Sequence, residues 1–443
     1  MRESNRSALV GFFASHGLGR ALRHRTFALY TLFSWFSTVS FWMQRIGVQW
    51  LAWELTHSYS WLGMIALGEA LAAFLVTPVA GFVADRHDRV RLAVVSQGGL
   101  FLLSLTLAAL AWSGLLSIYV LLALTTLTGI VDGFWAPVRI AIVPRLVPRA
   151  DMGPAFSVGA TMFNISQFVG PALAGWLIAH FAMGQVFAMA GLGYFAFTLS
   201  LLTMGLKAEE PGTGRGPSRG VLRDVREGLA YVLSQPALRL VMATLFVVAF
   251  CYRPYREHLA GLADAVLGVG PEGLATLASA SGVGGILGGL VSSTVRSARS
   301  RHRLILGGFL VNGLALVLFA QSVTLPMAAA CATVMAFAIT AVSVCAQVDI
   351  QEITPDHFRG RVASLWGLQV RGGPSVGAWA VGAMASVMAI QTSLMILAVI
   401  ALVFWIFLVL RRGDFDADRG RRDDPPSPPS TPDDGAHFTR DIV

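Results

Sequence analysis

The sequence points to an all-α membrane protein, with twelve transmembrane helices arranged as two pseudo-symmetric halves of six. Its 443 residues are 55% hydrophobic and only 13% charged, with a mean hydropathy of +0.65. A soluble protein of this size needs far more charge to cover its surface. The apolar residues recur in runs of roughly 20 or more, the length that crosses a hydrocarbon core of about 30 Å as a helix. Between the runs, basic and bare loops alternate, which supports both the count and the sense of the crossings.

The first six spans are placed at 27–52, 61–84, 90–113, 116–140, 155–180 and 184–206. The second six are placed at 237–263, 272–294, 303–322, 325–349, 363–388 and 390–410. Arg20, Arg23 and Arg25 precede the first span, whereas ELTHSYS after it has no Lys or Arg. Arg86, Arg89 and Arg91 follow span 2; WSGLLS is bare; Arg145 and Arg149 follow span 4; AHFAMGQ is bare. The second half repeats the alternation, with Arg296–Arg303, Arg359–Arg361 and Arg411–Arg412 as its basic segments. By the positive-inside rule both termini are cytoplasmic. The start of the chain lacks a short signal-peptide pattern, so its first apolar run reads as a retained span.

Five segments follow. Residues 1–26 form an N-terminal cytoplasmic arm, and 27–206 the first six-helix half. Residues 207–236 are a linker in which PGTGRGPSRG is flexible and VLRDVREGLAYVLSQ has the spacing of a surface amphipathic helix. Residues 237–410 are the second half, and the Pro- and Asp-rich tail 411–443 is expected to be disordered. Pro148, Ser157, Gly170 and Gly175 are spaced like Pro355, Ser364, Gly377 and Gly382. That repeat suits a duplicated transporter with its substrate site between the halves.

The formal charge of +8 sits in short loops beside apolar runs, so it reads as a topology signal and not as a nucleic-acid surface. Cys251, Cys331 and Cys345 fall inside apolar runs and offer neither metal spacing nor a disulfide framework. No nucleophile–base constellation stands out and no Walker-type Lys is present, so neither an enzyme nor a cofactor is indicated and an ion gradient is the expected driving force.

Charge inside a bilayer is costly, about 2.5–3.5 kcal/mol at a helix centre on insertion scales, and needs a reason. Glu69 lies about ten residues into span 2, near mid-depth. A carboxyl in such a site can exchange a proton as its surroundings change, so Glu69 is the first coupling candidate and Glu257 the second. Asp132 in span 4 is a third, although pairing with Arg139 or an Arg of span 1 accounts for it equally. Span 7 holds a polar knot, CYRPYREHLAG, in which Pro254 can kink the helix. Helical spacing puts Arg253 and Glu257 on one face with Arg256 beside it, either as an internal ion pair or as part of a cavity or gate that meets an anionic or catecholate-like substrate. Tyr255, His258, Asn164 and Arg371 are further cavity candidates. Gly284/Gly288 and Gly285/Gly289 in span 8 are spaced for close helix packing.

The stretch GFVADRHDRVR resembles the loop between helices 2 and 3 of the major facilitator superfamily, G-x-x-x-D-R-x-G-R-R. Gly81, Asp85, Arg86 and Arg89 match, while Asp88 and Val90 depart from it. Within that superfamily the chain resembles the bacterial exporter branch that includes siderophore exporters and drug efflux pumps, through APVRIAIVPRLVPRADM and TPDHFRGRVASL. SQFVGPALAG is similar to the antiporter signature of span 5, with Gly170, Pro171 and Gly175 matching and Ser166 and Ala174 standing where Gly is usual. The Arg-plus-Gly motif of many proton-driven drug antiporters is not evident in LTTLTGIVDGF.

The resemblance implies a major facilitator fold in the bacterial cytoplasmic membrane, with spans 1, 4, 7 and 10 lining the cavity. Gln44, Arg45, Arg253 and Arg256 are then substrate-side candidates. It also implies an inner latch in which Asp85 faces the start of span 11 near Ala363 and Arg139 of span 4. The expectation is a secondary transporter that exports a small molecule in exchange for protons by alternating access. Its partners are the substrate, protons and lipid, with no nucleic acid and no obligate protein. An importer of the same fold, or a non-transporting sensor or assembly factor, are the alternatives.

Overall fold

A computed structural model of the chain describes residues 18–205 and 221–411. The expected N-terminal arm, flexible linker stretch and tail lie mostly outside them. Among the described residues twelve long helical segments follow one another. The first six are α1 (Arg25–Thr56), α2 (Tyr59–Arg86), α3 (Arg89–Ser113), α4 (Ile118–Leu146), α5 (Met152–His180) and α6 (Met183–Thr203). The second six are α7 (Pro236–Val266, interrupted), α8 (Gly270–Thr294), α9 (Ala298–Ala320), α10 (Leu325–Ile353), α11 (Asp356–Ala385) and α12 (Ile390–Leu410). Among the described residues there is no strand. Ten of the twelve are long and apolar enough to cross a membrane by length and composition. The other two, α1 and α11, carry Gln44, Arg45, Gln49 and Arg359, Arg361, Arg371, which lower their apolarity.

The helices stop where local chemistry stops them. Asp88 caps α3 by accepting the Val90 amide at 3.1 Å, and Ser297 caps α9 by accepting the Ser300 amide. Gly114, at φ 69°, closes the tight turn between α3 and α4 in a conformation that a side chain disfavours. Several helices run past the expected span ends into the interface. The largest shift is α11, which begins at Asp356 and not near 363. Arg371 therefore lies about 22 Å along α11 at 1.5 Å per residue, near mid-depth and not close to the helix start.

Packing repeats with an offset of six helices. Helix α2 pairs with α4 and α3 with α6, as α8 pairs with α10. Helix α9 likewise packs on α12. The two sets meet through α2 against α11 and α5 against α8, which exchange under the same offset. Small residues permit the closest approaches. A side chain at Gly284 or Gly288 would meet the backbone of Thr333 or Phe337 on α10, whereas Gly289 faces open space. Only one of the two glycine rows in α8 is a packing row.

Between the halves a helix, Val221–Ser234, docks on the start of α11. Arg361 pairs with Glu227 at 3.0 Å, and Tyr231 stacks on Phe358 with centroids 4.1 Å apart. Val232 is buried while Leu229 and Leu233 face outward, so the apolar stripe read from the sequence is divided between α11 and the exterior.

Helix α7 is irregular where the sequence put its polar knot. A π turn (Val248–Tyr252) gives way to a 3-10 segment (Pro254–His258), then to a second π turn (Leu262–Val266). Pro254 has no amide hydrogen to give, so the ladder re-forms around it. The Arg253 amide reaches back to Val248 O at 3.2 Å and the Arg256 amide to Arg253 O at 3.2 Å. Gly377 of α11 makes room for this backbone; a Cβ there would meet Pro254 Cγ at 2.6 Å.

Candidate functional site

A cavity of about 250 Å³ lies between the halves. Its wall comes from α1, α2, α4, α5, α7, α8 and α11, and includes Arg45, Glu69, Asp132, Arg253, Arg256, Glu257 and Arg371. A small annex shares Arg45, Glu69 and Glu257 and adds Gln44, Thr125, Thr128 and Tyr194.

The centre of the wall is one guanidinium held by two carboxylates. Arg45 Nη2 donates to Glu257 Oε1 at 2.6 Å, and Arg45 Nη1 lies 3.4 Å from Glu69 Oε2. Gln49 Nε2 donates to the other Glu257 oxygen at 3.0 Å. Arg45 and Gln49 are four residues apart on α1 and so share a face. Glu69 belongs to the same half as Arg45, Glu257 to the opposite half. The arginine fork thus joins an intra-half bond to an inter-half bond. The buried Oε1 atoms of Gln44 and Gln49 have no partner among the described residues, as expected of a wall that water or a ligand completes.

A second inter-half pair lies beside it. Asp132 Oδ2 is 3.8 Å from Arg371 Nη1. This corrects the expected pairing with Arg139 or an arginine of α1. The reason is the depth of Arg371, which the later start assigned to span 11 had concealed. Arg139 instead lies over the Phe163 ring, 5.7 Å from its centroid.

The α7 residues divide between the cavity wall, which Glu257 also joins, and the packing behind it. Arg253 and Arg256 line the cavity. Tyr255 and His258 turn into the packing behind it, both fully buried. Tyr255 Oη is 3.1 Å from Ser281 Oγ, and His258 Nε2 donates to the Ala378 carbonyl at 3.0 Å. Tyr255 and His258 are therefore not cavity residues. Arg253, Arg256 and Glu257 share the cavity wall, as the helical spacing predicts, but the internal Arg253–Glu257 pair is not formed, since Glu257 pairs with Arg45 and Gln49.

Asn164 lines a separate cleft of about 350 Å³ formed by α1, α4 and α5, together with Arg139, Ser34 and Thr38. Gln167 donates to its Oδ1 at 3.4 Å. In the span-5 motif, Pro171 lines the central cavity. A side chain at Gly170 would meet Trp42 Cβ at 2.5 Å, and Gly175 abuts Ala275 of α8. In the latch motif, Gly81 has open space around it. The Asp85 side chain lies outside the described residues, and Arg86 and Arg89 are both engaged.

The halves also meet at the ends of the helices whose loops carry no Lys or Arg, here called the bare end. Trp53 Nε1 donates to Asp264 Oδ2 at 2.8 Å, and Ser60 Oγ donates to the Gly382 carbonyl at 2.8 Å. Tyr59 packs on Trp53 with centroids 4.8 Å apart. Asp264, Ser60 and Trp42 were not singled out from the sequence. The last of these lies under Arg256, with the guanidinium 5.6 Å from its ring centroid. The spacing of Trp42, Arg45 and Gln49 along α1 was the available signal for that wall.

Comparison with known proteins places this geometry in context. A family described as transmembrane secretion effector matches residues 19–430. The enterobactin exporter EntS of Citrobacter koseri is 24% identical over 424 residues, 92% of this chain and 96% of that protein. The multidrug efflux pump Tap of Mycolicibacterium fortuitum is 26% identical, covering 73% of this chain and 80% of Tap. The staphyloferrin A transporter of Staphylococcus aureus is 29% identical over 167 residues, only 38% of this chain and 42% of that one. Among solved structures, a bacterial homologue of the human lysosomal transporter Spinster, in an inward-facing and unoccupied conformation, has a TM-score of 0.65 at 18% identity. It covers 92% of this chain and 99% of its own. A POT family transporter in complex with a thioalcohol-conjugated peptide has a TM-score of 0.71 at 12% identity, covering 88% of this chain and 96% of its own. These likenesses carry the fold.

Proposed function

The chain belongs to the transmembrane secretion effector family, and on that premise we propose that it exports a small molecule in exchange for protons. It is a multi-pass transporter of the major facilitator type and not an enzyme. Export is favoured by the relatives named as an exporter and an efflux pump. The two helix sets are the rocking units, the basic end faces the cytoplasm, and the membrane is the bacterial inner membrane. The sealed bare end together with the cavity below it supports an inward-facing state.

One observation carries the coupling: Arg45 is shared between Glu69 of its own half and Glu257 of the other. A proton on Glu257 removes the charge that holds Arg45 across the interface, and the guanidinium passes to Glu69. The halves are then free to rock. A proton on Glu69 sends Arg45 the other way and holds them together. The competition converts proton occupancy into a conformational bias, which is what an exchanger needs. The test is proton flux in proteoliposomes under an imposed substrate gradient. Glu69→Gln and Glu257→Gln are expected to lose proton movement at least tenfold while retaining substrate counterflow. Full proton-coupled transport in both would remove the assignment.

The latch motif has a complementary role. Asp85, with Arg86 and Arg89, sits at the basic end of α2 and is assigned to closing that end when the bare end opens. Asp85→Asn is expected to reduce transport severalfold with normal membrane insertion, measured by uptake into inverted vesicles at matched protein levels. Wild-type rates would dismiss the latch.

A further inference from the structure

We infer that Arg253 and Arg256 form a binding subsite for the anionic group of an aromatic carboxylate substrate. This rests on the reading of the central cavity as the transport site. It goes further by naming the charge and shape of what binds there.

Four guanidiniums and three carboxylates line the cavity. The carboxylates are all engaged by two of the arginines: Glu69 and Glu257 by Arg45, Asp132 by Arg371. No carboxylate contact is seen for Arg253 or Arg256 among the described residues. Arg253 reaches only Ser343 Oγ, at 3.5 Å, and Arg256 lies over the Trp42 ring. Both are half-buried, and because Arg45 serves two carboxylates the four arginines and three acids leave the wall with a net charge of +1.

The backbone brings the two together. On an α-helix, residues three apart diverge by about 60° around the axis; on a 3-10 segment they eclipse. The Arg256 amide bonds back to the Arg253 carbonyl in one such turn around Pro254, and both side chains line the same cavity. Two adjacent planar forks suit a carboxylate, which accepts paired N–H donors. Trp42 and Phe41 in the same wall supply flat apolar surface for a ring attached to it. The same excess positive charge disfavours a cationic drug, because every carboxylate that would receive it already holds an arginine.

Paired probes test this on the purified full-length protein in detergent. Binding of 2-naphthoate and of its neutral amide, 2-naphthamide, is measured by equilibrium dialysis. The acid is expected to bind at least tenfold more tightly. Arg253→Gln and Arg256→Gln should each lower its affinity fivefold or more, and the double variant should erase the preference for the acid over the amide. Arg253→Lys and Arg256→Lys keep the charge and should retain part of the preference, which guards against loss by misfolding. Equal binding of acid and amide, or a preference that survives in the double variant, overturns the proposal. An anion preference that is lost in the double variant supports the subsite even where Glu69→Gln leaves proton flux unchanged, so the two readings fail separately.

Discussion

Arg45→Gln is expected to abolish transport and to destabilise the folded protein. The variant removes the one group that neutralises both Glu69 and Glu257, whose oxygens it holds at 3.4 and 2.6 Å. Two carboxylates then face each other across the half-to-half interface with only Gln49 Nε2 left as a donor. Stripping one partner from a buried ion pair costs about 3–5 kcal/mol, because the charge left behind is unpaid for by water. The upper part of that range is softened here by the cavity, which admits solvent. A loss of at least tenfold in counterflow and a drop of several degrees in melting temperature in detergent are expected. The triple variant Arg45→Gln/Glu69→Gln/Glu257→Gln removes the charges as a set. It should recover stability but not proton-coupled transport. Transport by Arg45→Gln within twofold of wild type would show that the shared guanidinium is not the coupling element.

Gly63→Leu is expected to trap the transporter with its bare end open. Helix α2 crosses α11 so closely that a Cβ at Gly63 would lie 2.6 Å from the Ala378 carbonyl oxygen and 2.8 Å from Trp379 Cα. Both are backbone atoms, so no side chain can turn aside to relieve the overlap. Overpacking of this kind costs about 1–3 kcal/mol, and each 1.4 kcal/mol changes a two-state population tenfold. The strain exists only while the bare end is sealed, so rocking relieves it and unfolding is not required. The Trp53–Asp264 and Ser60–Gly382 hydrogen bonds are lost in the same motion. Spin labels on cysteines at His57 and Val387, in bare-end loops of opposite halves, report the result. Their separation should lengthen in Gly63→Leu, and transport should fall at least tenfold in protein that still elutes as a single species. An unchanged distance distribution would show that the α2–α11 crossing does not govern the seal.

The candidate site was legible in the sequence one residue at a time. Arg45, Glu69, Asp132, Glu257 and Arg371 each stand out as charge within an apolar run, where any ionisable group demands explanation. Their partners were not legible. Glu257 lies 212 residues from Arg45, and no local pattern pairs them. Asp132 was matched to arginines nearby in sequence or in the same half, because sequence reading favours local partners. Tyr255 and His258 were misplaced for a different reason. They adjoin Arg253, Arg256 and Glu257 in sequence, but on a helix of either period both point away from the face that carries those charges.

The sequence by itself determined the fold class, the order of the long apolar helices and the residues that pay a bilayer penalty. Those properties follow from the one-dimensional distribution of apolar and basic residues, since a membrane admits few solutions beyond the spanning helix. The tertiary structure alone decided which half each charge faces, which arginines are neutralised and which remain for a ligand. Those depend on helix depth, on the local helical period of α7 and on packing between α2, α11, α5 and α8. They are three-dimensional quantities set by backbone geometry that composition does not encode.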